Sequence, residues 1–178
     1  MKTWIALFRG INVGGNHILP MAELRQELTA LGLSEVQSYI QSGNVVFSVK
    51  TGTSTSWAKK ISACVEEQHG FAPQVMVLDA AAVQAAVDAN PFPEGVDDPK
   101  TLHFSFLEKK PSKPMLKEME ELRIASERFQ LIGQVFYLHA PDGIGRSKLA
   151  AKVEKLLGVS ATGRNYRTVA KILSMAGA

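Results

Sequence analysis

Apolar residues along the chain follow two rhythms, a short continuous one and a helical one, and their order predicts a fold. "KTWIALF", Lys2 to Phe8, is a continuous apolar run of the kind that forms a strand buried on both faces. A glycine-rich loop follows, and Pro20 then opens "PMAELRQELTALG". There Met21, Leu24, Leu28 and Leu31 form a helical stripe that Gly32 is placed to end. "VQSYI" and "NVVFSV" flank "QSG", which predicts a hairpin. Thr53 to Ser56 offer caps for a helix from about Trp57 to His69, stopped by Gly70. "QVMVL" is a further strand, which completes a βαββαβ order, and an alanine-rich helix over Ala80–Ala89 comes next.

The same order then recurs. "TLHFSFL" reads as a strand, "PMLKEMEEL" from Pro114 as a helix, "RFQLIG" with "QVFYLH" as a hairpin, and "SKLAAKVEKLLG" as a helix ended by Gly158. "GRNYRTVAKILSMA" reads chiefly as a closing helix. Landmarks match in order: Pro20-Met21 with Pro114-Met115, Gly43 with Gly133, and "VEEQHG" at Val65 with "VEKLLG" at Val153. This predicts an internal duplication, a repeat of domain size rather than a solenoid period. The expected class is α+β (α/β plait), duplicated ferredoxin-like βαββαβ units with mixed or antiparallel sheets. Residues 1–90 form the first half with its trailing helix, the proline-rich 91–100 a linker, and 101–178 the second half with a C-terminal helix.

In this topology the crossover is right-handed, and the strand after the first helix runs parallel to the first strand. The loop after strand one and the tip of the first hairpin therefore belong to the same end. "RGINVGG" and "QSGN" are expected to be neighbours, bringing together Arg9, Asn12, Gln41, Ser42 and Asn44 with backbone N–H groups of Gly14, Gly15 and Gly43. Glycines permit close backbone approach, a helix starts downstream, and an arginine adds charge, all of which suit an anion. The spacing fits neither G-x-x-x-x-G-K-[ST] nor G-x-G-x-x-G, so a purely conformational role for these glycines stands beside the functional one.

Composition narrows the picture. The 178 residues are 46% hydrophobic and 21% charged, which is globular, and the net charge of +3 is mildly basic without a charged run. An anionic ligand is thereby favoured over a cationic one. The single Cys64 excludes an internal disulfide and a cysteine zinc cluster, and its place beside Ile61 and Val65 predicts packing. No signal-peptide block or membrane-length apolar run is present, which predicts a cytoplasmic protein with no membrane partner.

Other clusters are weaker. In "GIGRSK", Arg146, Ser147 and Lys148 precede a helix, and a Ser147 cap explains them as well as a phosphate does. In "GRNYRT", with Asn165 between them, Arg164 and Arg167 are three apart, a spacing that allows one helix face turned toward an anion, and an amphipathic closing helix with solvated arginines explains them as well. His17, on the opening loop, is an acid–base candidate without a local carboxylate, while His103 and His139 fall on strands and read as structural. H-E-x-x-H and G-x-S-x-G are absent, so the sequence assigns no reaction, no metal and no cofactor. Strands apolar on both sides predict sheets covered on both sides, against an open RNA-binding platform.

"ALFRGINVGGNHILPMAELRQELTALG", "YIQSGNVVF", "NPFPE", "SKL" and "TGRNYRTVAKI" together resemble the bacterial proteins grouped as domain of unknown function 1697, over nearly the whole chain. The resemblance implies a duplicated ferredoxin-like plait and implies no reaction. It adds functional weight to Arg9–Gly15, Gln41–Asn44 and Arg164–Thr168. Tyr166 stands where that pattern has tryptophan, and Asn16-His17 where it carries a lysine.

The expectation is a cytosolic protein binding a small anionic, phosphate-bearing ligand through Arg9, Asn12, Gly14, Gly15, Gln41, Ser42, Gly43, Asn44, Arg164 and Asn165. The alternative is a non-enzymatic module that binds nucleic acid or a partner protein. Ligand identity and oligomeric state stay open at this point.

Overall fold

A computed structural model describes residues 1–177. The first half runs β1 (Lys2–Arg9), α1 (Met21–Ala30), β2 (Ser34–Tyr39), β3 (Asn44–Val49), α2 (Ser54–His69) and β4 (Gln74–Asp79), followed by α3 (Ala80–Asp88). The second runs β5 (Leu102–Leu107), α4 (Leu116–Leu122), β6 (Arg128–Ile132), β7 (Val135–His139), α5 (Lys148–Leu157) and β8 (Ala161–Asn165), followed by α6 (Tyr166–Met175). The sheets have the orders β2-β3-β1-β4 and β6-β7-β5-β8. Every pairing within them is antiparallel. The fold is a duplicated ferredoxin-like α/β plait.

The chain divides into two compact units, one of Met1–Ala85 with the segment from Ala170 onward, the other of Ala86–Val169. The division falls inside α3. The proline-rich stretch carries a short 3-10 turn, Pro93–Val96, with Phe92 buried and Gly95 lying where a Cβ would meet Leu102.

The helix starts and stops follow local chemistry. Thr53 and Ser56 cap each other reciprocally, so α2 begins at Ser54, a turn earlier than its apolar stripe predicts. Gly70 and Gly158 end α2 and α5 in the left-handed conformation that glycine enters without penalty. In the first unit, Trp4, Ala6 and Phe8 of β1 pack with Leu24 and Leu28 of α1 and Ile61 and Val65 of α2. Ile5 and Leu7, on the opposite face of β1, are fully buried as well, as is Phe104 of β5 beside Tyr137 of β7. The central strands are thus covered on both faces, as their unbroken apolar runs require.

The closing segment is chiefly helix, as its pattern predicts, but it starts as a strand: Gly163, Arg164 and Asn165 are in β8, paired with Ser105, Phe104 and His103 of β5, and the helix starts at Tyr166. Arg164 and Arg167 therefore share no helix face. Closing the second sheet with its outer strand takes precedence over the weak strand propensity of glycine and asparagine. No helix among the described residues is long and apolar enough to cross a membrane.

Candidate functional site

The first loop and the first hairpin do meet. Phe8 N–H donates to the Gly43 carbonyl at 2.8 Å, joining the end of β1 to the β2–β3 tip. Asn12 then ties three segments. Its Nδ2 donates to the carbonyls of Leu19 (3.0 Å) and Gln41 (2.8 Å), and its Oδ1 accepts from Leu19 N–H (2.8 Å). The Leu19 donor fixes which end of the amide is oxygen. Asn12 holds φ 53°, a left-handed conformation that asparagine tolerates better than most residues.

Beyond this tie the loop makes a small hairpin. Val13 and Asn16 bridge across Gly14 and Gly15, whose φ values of 59° and 75° are both positive, as a type I′ turn demands. His17 Nδ1 donates to the Gly10 carbonyl at 3.2 Å, and its ring stacks on Phe71 at 4.6 Å between centroids. Its position is thus explained by packing rather than by proton transfer.

The polar residues named from sequence converge here, but several work inward. The Asn44 side chain is completely buried and donates to the Tyr39 carbonyl and to Ser42 Oγ. Gly43 is a glycine because a Cβ there would stand 2.5 Å from Phe8 Cβ and 2.6 Å from Ile11 Cδ1. Arg9, at the end of β1, is half-buried and already engaged in the protein. Gly14, Gly15, Gln41 and Ser42 face solvent.

The remaining candidates lie elsewhere in the chain. Arg164 is on β8, engaged in part by the Gly163 carbonyl at 2.8 Å. Asn165 Oδ1 accepts from Thr168 N–H and caps α6. Tyr166 lies against Phe104 with ring centroids 5.8 Å apart. Ser147 is the cap of α5, accepting from Ala150 N–H at 3.0 Å.

Three apolar residues of this loop and hairpin tip, which pattern alone does not single out, are exposed. Val13, Ile18 and Ile40 are 66%, 64% and 49% exposed. They are the chain neighbours of Asn12, Leu19 and Gln41, the three residues that the Asn12 amide joins. Apolar residues in a glycine-rich loop carry no helical or strand period, so pattern alone gives no sign of their direction.

The second unit supplies an internal control. Leu107 N–H donates to the Gln134 carbonyl at 2.9 Å, matching the Phe8–Gly43 bond. This tie belongs to the topology. The equivalent loop, however, is "EKKPSKPM", with no glycine turn and no asparagine. The Asn12 knot and the Gly14-Gly15 turn are features of the first unit, and the plait alone does not require them.

Residues 1–137 match the family described as "Protein of unknown function (DUF1697)". The chain belongs to the DUF1697 family. A solved structure, that of the conserved bacterial protein SP0830 from Streptococcus pneumoniae, is similar to this DUF1697 chain with a TM-score of 0.76 and 28% identity, over 98% of each chain. No curated protein matches it.

Proposed function

We propose that the protein is a non-enzymatic binding protein of the cytoplasm whose first-unit rim docks against an apolar surface of a partner protein. The observation that carries this reading is the exposure of Val13, Ile18 and Ile40 around one hydrogen-bonded knot. Contiguous exposed apolar side chains mark interaction sites, and these three are chain neighbours of residues that the Asn12 amide ties together. Holding them on a tied loop lowers the ordering cost of association. The loop and hairpin tip contain no carboxylate, so they offer no acid–base pair. The single cysteine fits a reducing compartment.

A small anionic ligand is the second reading, favoured by the exposed Gly14-Gly15 turn and the net charge of +3. It ranks below the first because Asn12 and Asn44 direct their amides at the protein's own backbone and Arg9 is engaged.

The test places a photo-crosslinking amino acid at Ile40, with exposed Lys59 of α2 as the control position, in cells that make the protein. A discrete adduct from position 40, absent from position 59 and lost in a Val13→Ser/Ile18→Ser background, is expected. Equal adducts from both positions, or none, contradict the docking reading. A melting-point rise with nucleotides or sugar phosphates that Gly15→Val abolishes favours the anion instead.

A further inference from the structure

Glu23 and Glu27 stand one turn apart on α1 and meet His69 in the last turn of α2. One ligand atom from each lies within 4.8 Å of the other two, and His69 Nε2 is 2.8 Å from Glu27 Oε1. A His–Glu pair at a helix C-terminus is a common device and accounts for that contact. It does not account for the rest. Glu27 Oε2 is buried and has no hydrogen-bond partner, although buried carboxylate oxygens are ordinarily satisfied. The second carboxylate, Glu23, brings a further oxygen ligand to the same place.

We infer that Glu23, Glu27 and His69 form a binding site for a divalent cation of the zinc type. A cation there satisfies the orphaned Oε2, binds both carboxylates and uses the imidazole nitrogen. One nitrogen and two carboxylates suit zinc better than calcium or magnesium, which take oxygen ligands. Three protein ligands leave a coordination position for water. Packed helices supply all three, so the site is held largely preformed. The sequence conceals the site because its histidine lies 42 residues beyond Glu27, on another helix.

Cys64 needs a control. Its thiol is pushed up by burial and then by the charges of Glu27 and Glu67, which places it within electrostatic reach of the site. Zinc is titrated into the full chain against a competing chromophoric chelator, and helicity is followed by circular dichroism. One equivalent is expected to bind. Affinity is expected to fall by about tenfold in Glu23→Gln and by about a hundredfold in His69→Ala, which remove directly coordinating groups. Cys64→Ala is expected to bind as the native chain does. Glu23 is exposed, so its variant folds and keeps the test valid even if His69→Ala does not. Absence of binding to the native chain overturns the inference, as does binding that survives Glu23→Gln unchanged or disappears in Cys64→Ala.

Discussion

Gly14 and Gly43 both hold positive φ, 59° and 82°, yet they differ in what surrounds them. Around Gly14 a Cβ meets nothing within 4 Å, whereas at Gly43 it meets Phe8 and Ile11. Gly14→Ala is therefore expected to cost only the left-handed strain, about 1 kcal/mol. Gly43→Ala adds overpacking and is expected to cost about 3 kcal/mol. Urea unfolding of the two variants measures the difference, and equal costs would show that packing at the hairpin tip is looser than described. The sequence makes both glycines visible as turn residues. It does not show the packing, because Phe8 on β1 and Ile11 in the loop after it reach Gly43 only in the folded chain. The same limit applies to Asn12 and Asn44. Their polarity is legible and suggests ligand contacts, but their partners are backbone carbonyls that only the folded chain supplies.

At the level of elements, local signals were sufficient wherever local chemistry decides. The Thr53 cap, the left-handed Gly70 and Gly158 stops and the Ser147 cap all follow from short stretches of sequence. The hairpins around Gly43 and Gly133 were equally plain. β8 was not. Its residues Ala161–Asn165 include a glycine and an asparagine and lack apolar alternation. It is a strand because β5 has an edge that needs backbone partners, a long-range requirement invisible in a window of sequence. The metal candidate was hidden for a related reason. Glu23 and Glu27 show the spacing of one helix face, but His69 arrives from a separate helix.

For the molecule as a whole, the duplication was legible through ordered landmarks, and its value lies in comparison between copies. What both units share, such as the bond from the first strand to the hairpin tip, belongs to the plait. What one unit alone carries calls for another explanation, and the Asn12 knot with its apolar fringe is the clearest case. The copies also differ in their histidines. His103 Nε2 and His139 Nδ1 are buried without hydrogen-bond partners. Burial is the main cause holding both pKa values below 6.5, and the proximity of His139 to Arg128, and of His103 to His139, adds to it; the Lys100 backbone and Asp98 act in the opposite direction. Below 6.5 the unfolded chain binds protons that the folded chain resists, so stability is complete above that value and declines as pH falls. The melting point is expected to drop between about pH 7 and pH 5, and to drop less in His103→Gln. A melting point that is flat across this window would contradict the burial of these two ring nitrogens.

The central claim is that the first loop and the first hairpin tip form one tied rim. Amide hydrogen exchange followed by NMR, in the native protein and in Asn12→Ala, tests it most directly. Leu19 N–H, bonded to Asn12 Oδ1, is expected to be protected in the native chain and to lose about tenfold or more of that protection in the variant. Phe8 N–H, bonded to Gly43, is expected to stay protected in both. Free exchange of Leu19 N–H in the native protein, or protection unchanged by Asn12→Ala, would contradict the claim.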